Sequence, residues 1–91
     1  MEEEEQLRFV IGKIREIRVQ KGISQLELST ISNLSQSFLA SIERGKKQPS
    51  VLTLLRIAKA LKVSPKNFFP DTGIKSKADK KEQIIDLIRS L

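Results

Sequence analysis

Neutral hydrogen-bonding side chains and basic side chains follow one another within residues 35–47. The neutral group contains Gln36, Ser37 and Ser41, and the basic group contains Arg44, Lys46 and Lys47. A glutamine amide can form two hydrogen bonds with the edge of an adenine, and a serine hydroxyl can donate or accept one. Lysine and arginine side chains instead neutralise phosphate groups. This segment therefore has the residue types with which a protein distinguishes bases and holds a nucleic-acid backbone.

The composition excludes several other kinds of chemistry. The chain of 91 residues contains no His and no Cys. It therefore cannot form a disulfide, a thiolate or imidazole metal site, or a His-based acid–base pair. The serines have no His partner, and the carboxylates are scattered over capping and ion-pair positions. We therefore expect no enzymatic activity, no cofactor and no metal.

The net charge of +6 is distributed unevenly along the chain. Residues 1–11 carry −3, residues 12–70 carry +8 and residues 71–91 carry +1. Met1 is followed by four Glu instead of the basic and apolar residues of a secretory signal, and no apolar run approaches the roughly 20 residues that span a bilayer. We expect a cytoplasmic protein without membrane contact, whose basic middle binds a polyanion.

Apolar spacing and capping residues predict an all-α fold. Within residues 5–21 the apolar side chains recur on one helical face, and Gly22 then favours the left-handed backbone that ends a helix. Each of the next four predicted helices begins at a serine that can cap the first turn. These serines are Ser24, Ser35, Ser50 and Ser64.

Two of these predicted helices also carry apolar residues that we expect in the core. The apolar set of the fourth helix is Val51, Leu54, Leu55, Ile57, Ala58 and Leu61. Of these, Leu54, Leu55, Ile57 and Leu61 are expected in the core, and Phe68 and Phe69 are expected to anchor the short fifth helix to it.

Three segments together resemble the Cro and phage-repressor (XRE) helix-turn-helix family. Residues 17–25, 34–37 and 42–50 contain Lys-Gly-Ile-Ser-Gln, Ile-Glu-Arg-Gly and Pro-Ser at the spacings of that family. The resemblance implies a compact five-helix, phage-repressor-like DNA-binding domain over residues 1–70. It places the helix-turn-helix at residues 24–44, with the third helix contacting duplex DNA.

The resemblance and the residue types together predict a DNA interface. Base contacts are expected from Gln36, Ser37, Phe38 and Ser41, and backbone contacts from Gln25, Ser35, Arg44, Lys46 and Lys47. No Lys or Arg lies between residues 24 and 43, so the base-contacting surface is neutral and the phosphate contacts lie beside it. Phe38 has two open interpretations, core packing or contact with a thymine methyl group. Arg18 and Glu43 match a family pair that forms a largely buried ion pair.

Three residues depart from the family's pattern. Ser29 stands where a small Ala is usual, and we expect its hydroxyl to bond back to its own helix. Asn33 stands where Gly is usual, and Asn tolerates the left-handed backbone of the turn. Leu26 stands where an acidic residue is common, which leaves an apolar side chain near the surface.

Residues 71–91 combine a Lys-rich linker with an amphipathic segment. We expect a C-terminal helix over residues 79–91, which is too short to be stable in isolation. It can dock on its own domain, pair with a second copy or bind another protein. Pairing is favoured, because one recognition helix gives little specificity and paired half-sites supply the rest.

The favoured interpretation is a sequence-specific, double-stranded DNA-binding transcriptional regulator. We expect a repressor that acts as a homodimer on a pseudo-palindromic operator, without a small-molecule ligand. The alternative is an antitoxin-like or adaptor module that binds a protein partner through residues 79–91. RNA binding is less favoured, because the chain has four Phe but no Tyr, Trp or His for base stacking.

Overall fold

A computed structural model describes residues 2–71, so the C-terminal helix predicted at residues 79–91 lies outside the described residues. Within residues 2–71 the chain forms four α-helices and one 3-10 helix, without strands. The elements are α1 (Glu3–Gln20), α2 (Gln25–Ile31), α3 (Gln36–Glu43), α4 (Val51–Leu61) and the 3-10 helix (Pro65–Phe68). The all-α prediction is confirmed. The predicted fifth helix is a 3-10 helix instead, because only four residues separate the Ser64 cap from the extended backbone at Phe69.

Serine caps fix where the helices begin. The Ser24 hydroxyl accepts a hydrogen bond from the Glu27 backbone N–H at 3.0 Å, and the Glu27 carboxylate accepts one from the Ser24 N–H at 2.8 Å. The hydroxyls of Ser35 and Ser50 likewise accept from the third residue of α3 and of α4. Each such cap stabilises a helix by about 1 kcal/mol. Local sequence therefore determines the first turn of α2, α3 and α4.

Left-handed residues fix where the four α-helices end. The residues are Gly22, Asn33, Gly45 and Lys62, with φ angles of 70°, 61°, 78° and 61°. In each case the next backbone N–H returns to a carbonyl five residues earlier, as from Leu34 to Ser29 at 2.8 Å. Such a motif satisfies carbonyls that the helix leaves without partners. Asn33 therefore adopts the expected backbone, and the turn between α2 and α3 is tight.

The core lies between the four α-helices, with the 3-10 helix packed on α1 and α4. Its buried residues are Val10, Ile14, Leu28, Leu39, Ile57, Ala58, Leu61 and Phe68. Ile23 and Leu34, which precede the caps of α2 and α3, pack against this cluster. Because α3 packs on both α1 and α2, its orientation is set by two neighbouring helices.

Leu55, which we predicted in the core, lies at the surface instead, as does Val51 from the same apolar set. Their exposed fractions are 48% and 73%. The buried residues of α4 are Thr53, Ile57, Ala58 and Leu61. Leu55 lies about 160° around the helix from both Thr53 and Ile57, so it points away from most of the buried face.

Phe69 was also predicted in the core and is 51% exposed. It follows the fully buried Phe68 and has extended backbone, with φ −103° and ψ 148°. Successive side chains of extended backbone point in opposite directions. Only one of the two phenylalanines therefore reaches the core.

Candidate nucleic-acid interface

The C-terminal end of α3 is held by a buried ion pair. The Arg18 guanidinium donates from Nε to Glu43 Oε2 at 2.8 Å and from Nη2 to Glu43 Oε1 at 2.9 Å. Its Nη1 donates to the Ile23 carbonyl at 2.8 Å. The two charged side chains are only 10% and 3% exposed. One guanidinium therefore connects α1, the segment before α2 and α3 in a bidentate geometry that tolerates little rotation.

Gln25, at the start of α2, belongs to the same network. Its Nε2 donates to Glu43 Oε1 at 3.0 Å, so the Glu43 carboxylate accepts three hydrogen bonds. Gln25 was predicted to contact the DNA backbone, and its bond to Glu43 was not predicted, because the family pattern that pairs Arg18 with Glu43 was not extended to Gln25. The second N–H and the oxygen of the amide are not used by this bond. A backbone contact from Gln25 stays a prediction.

The N-terminal end of α3 is exposed and neutral. Gln36 and Ser37 are both exposed in the first turn. Within residues 2–71, the Gln36 side chain has no hydrogen-bond partner. The Ser37 hydroxyl lies 3.5 Å from that of Ser35, which itself accepts from the Phe38 backbone N–H. Gln36 and Ser37 therefore offer donors and acceptors to an external partner, whereas Ser35 already caps the helix.

Phe38 and Ser41 are half-buried at the edges of this surface. Among the described residues, Phe38 is absent from the core cluster and from the side chains packed against it. The Ser41 carbonyl accepts from the backbone N–H groups of Lys46 and Lys47, at 2.8 and 3.3 Å. A contact between either side chain and a base stays a prediction.

The basic residues after α3 are folded back towards that helix. Arg44, Lys46 and Lys47 are exposed. Gly45, at φ 78°, turns the chain, and the two lysine N–H groups then bond to the last turn of α3. The basic side chains are thereby attached beside the neutral surface rather than on it. The arrangement brings together the two classes of contact that specific DNA binding requires.

Residues 2–71 contain neither a candidate metal site nor a candidate membrane-spanning helix. No group of carboxylates there is arranged to hold a metal ion. None of the helices in that part combines the length and the apolar character needed to cross a membrane.

Comparisons with known proteins agree with this geometry. A transcriptional regulator of Sinorhizobium fredii, y4dJ, is 41% identical over 59 residues, covering 64% of this chain and 77% of that protein. The control protein C.BamHI of Bacillus amyloliquefaciens is 35% identical over 77 residues, covering 82% of this chain and 95% of that protein. The crystal structure of the restriction-modification controller C.AhdI from Aeromonas hydrophila superimposes with a TM-score of 0.67 at 35% identity, covering 69% of this chain and 96% of that one.

The helix-turn-helix family profile matches residues 14–68, which include α2, α3 and the buried network that joins them to α1. The serine caps, the left-handed Asn33 turn and the C-terminal anchor of α3 all lie within that range. The chain therefore belongs to the helix-turn-helix family of Cro- and phage-repressor-like (XRE) transcriptional regulators.

Proposed function

We propose that this chain is a sequence-specific double-stranded DNA-binding regulator that uses α3 as its recognition helix. The observation that carries the proposal is the contrast along α3, between an exposed neutral first turn and a last turn fixed by Glu43. A helix inserted into the major groove needs free polar side chains at the tip and a rigid attachment behind it. Both are present on this helix.

Each predicted contact has a defined part in the mechanism. Gln36 and Ser37 bind base edges, Ser41 contributes at the second turn, and the Phe38 ring contacts a thymine methyl group. Arg44, Lys46 and Lys47 neutralise phosphates along the adjacent backbone. Gln25 and Ser35, at the starts of α2 and α3, contact the DNA backbone and help to orient α3.

We further propose that the protein represses transcription as a homodimer on a pseudo-palindromic operator. Eight residues of α3 present too few base-contacting groups to select one site in a genome, and a second half-site supplies the rest. A bound repressor can block transcription simply by covering the promoter. The protein would then act in the cytoplasm, where the DNA is. Binding, and no chemical step, would then be the whole of the activity.

Selection of duplexes from a random pool by the full chain tests the proposal. We expect enrichment of a sequence with two inverted half-sites, and a reporter promoter that carries it should be repressed. Enrichment without any shared sequence would contradict specific recognition, and one unpaired site would contradict the homodimer.

Measurement of the molecular mass of a variant that lacks residues 79–91 tests the predicted part of this segment in pairing. A dimer that survives the deletion would contradict that part.

A further inference from the structure

We propose that copies of this chain bind one another head to tail, with the acidic start of α1 in one copy docked in a basic groove between α2 and α4 of the next. Glu2, Glu5 and Phe9 form the docked part, which we call the α1 stripe. The contact goes beyond the proposed function and does not depend on DNA binding.

The α1 stripe points away from the chain's own core. The buried residues of α1 begin at Val10, so its first two turns contain no buried side chain. Within residues 2–9 only Leu7 is half-buried, and it lies about 140–160° around the helix from each member of the stripe. Phe9 is 37% exposed, and both glutamates are exposed. The stripe therefore presents an aromatic ring and two carboxylates to the outside of the molecule.

The complementary surface is a basic groove between the C-terminal end of α2 and the second half of α4. This α2–α4 groove has a volume of about 360 Å³ and is lined by Ile31, Ser32, Asn33, Arg56, Lys59 and Ala60. Ile31 is 61% exposed, so an aliphatic side chain lies open beside two cations. The groove thus combines an apolar surface with two positive charges and has no acidic residue in its lining.

The charge distribution of the chain favours a second copy as the occupant of the groove. Residues 2–9 carry four Glu and one Arg, whereas every charged side chain between residues 44 and 70 is basic. The carboxylates of the α1 stripe can pair with Arg56 and Lys59 while the aromatic ring packs on Ile31, as an amphipathic helix does in a groove. Both surfaces are exposed in the folded chain, so they are free to meet those of another copy.

A head-to-tail contact differs from a closed two-fold dimer in how it grows. Each pair of copies still has one unused stripe and one unused groove, so further copies can add. The contact is small beside the roughly 20–30 residues that each partner contributes to a stable interface, and it is therefore weak. Combined with the proposed DNA binding, it would let a bound copy recruit others onto the adjacent DNA.

Sedimentation equilibrium of the full chain without DNA tests the inference. At about 0.1 M salt the average mass should keep rising with protein concentration, and at about 0.5 M salt the rise should disappear, because the ion pairs are screened. The double variant E2Q/E5Q should weaken this association about tenfold, the loss expected from two exposed ion pairs. Glutamine can keep the capping box that Glu2 and Glu5 form, so the start of α1 is preserved.

The matched control for the stripe is E3Q/E4Q. It removes the same charge from the same end of α1, but residues 3 and 4 lie about 100–160° around the helix from the two stripe glutamates. This variant should associate as the wild type does. Circular dichroism of each variant checks that the fold is retained.

Variants of the α2–α4 groove give the reciprocal measurement. R56Q/K59Q should also weaken association about tenfold, since it removes the two cations that the stripe pairs with. K62Q/K66Q removes the same charge from exposed residues outside the groove and should have no effect. Each of the single reversals Glu5→Arg and Arg56→Glu should abolish association, and the combined variant E5R/R56E should regain it.

Several outcomes would overturn the inference. An average mass that levels off at one or two copies in the wild type would exclude an open contact. Equal losses in the stripe variant and its control would reduce the effect to general acidity, and a combined reversal without recovery would mean that the two surfaces do not meet. If the groove variant kept its association but lost affinity for a duplex with one half-site, the groove would contact DNA instead. The sedimentation measurements contain no DNA, so failure of the proposed function would leave their result unchanged.

Discussion

The two ends of α3 differ in how completely their polar groups are bonded. At the N-terminal end, Gln36 is exposed and has no hydrogen-bond partner within residues 2–71. At the C-terminal end, the Glu43 carboxylate is 3% exposed and accepts three hydrogen bonds from Arg18 and Gln25. One helix therefore has a free end and a fixed end, separated by about two turns.

The difference shows how one short helix can be held firmly at one end while its other end stays exposed. Three hydrogen bonds and the packing of α3 on α1 and α2 fix its direction without the side chains of Gln36 and Ser37. The first turn can keep its hydrogen-bonding capacity for bases, because Ser35 alone satisfies the cap. The following substitutions act on one end at a time.

The largest expected effect comes from breaking the fixed end. Glu43→Ala leaves the buried Arg18 guanidinium without its partner, and this should lower the free energy of unfolding by about 3–5 kcal/mol. Urea titration followed by circular dichroism measures it. Glu16→Ala is the control, since it removes an exposed pair with Lys13 at 3.4 Å and should cost less than about 1 kcal/mol. Equal losses in the two variants would mean that the Glu43 network does not anchor α3.

Gln36→Ala changes the free end alone. We expect a loss of about 1–3 kcal/mol in binding to the selected duplex and a relaxed preference at one base pair. The free energy of unfolding should stay within about 0.5 kcal/mol of the wild type. Titrations against the selected duplex and its single-base variants measure the loss. Gln20→Ala, on the exposed surface of α1, should leave binding unchanged; a uniform loss across all duplexes would disprove a base contact by Gln36.

Substitutions of Gly12 and Gly45 test whether the left-handed backbone after α3 stabilises the C-terminal end of that helix. A Cβ added at Gly12 or Gly45 meets no atom within 4 Å, but Gly45 alone of these two has a positive φ, 78°. Gly45→Ala should therefore destabilise the fold by about 1–2 kcal/mol. Gly12→Ala, in the interior of α1, should stabilise it by roughly 0.5–1 kcal/mol. Thermal unfolding of the pair measures both, and effects of the same sign would contradict a role for the left-handed turn.

The smallest effect is expected just beyond the fixed end. Lys47→Ala should weaken binding to all duplexes alike and reduce the slope of log affinity against log salt by about one. Lys59→Ala is the control, because its exposed side chain on α4 was not assigned to DNA. A loss confined to one base sequence would show that Lys47 contacts a base instead.

Local signals in the sequence predicted much of the fold. Ser24 with Glu27, and the serines that open α3 and α4, bond to the first turns as their spacing indicates. Gly45 and Asn33 adopt the left-handed backbone expected of helix ends. The Ser29 hydroxyl donates to the Leu26 carbonyl at 2.8 Å, as expected for a hydroxyl facing the turn.

The exposure of some side chains and the bonds between distant residues depend on tertiary packing, which the sequence pattern does not give. The spacing of α4 placed Leu55 on an apolar face, but nothing in that spacing says how wide an arc the neighbouring helices cover. The same limit applies to Gln25, whose bond to Glu43 joins two helices across 18 positions. The proposed DNA contacts are of this kind too, because they depend on a partner that the chain alone does not contain.

The Arg18 guanidinium has a consequence for how proteins of this kind can diverge. Its bonds to Glu43 and to the Ile23 carbonyl set the direction of α3, the proposed recognition helix, without using any exposed residue of that helix. Under the proposed function, we therefore expect a single codon change at position 36 or 37 to alter the preferred operator while the fold stays stable. We expect a change at position 18 or 43 to weaken binding to every operator at once. New specificity would then arise at the exposed first turn, and the buried ion pair would be constrained.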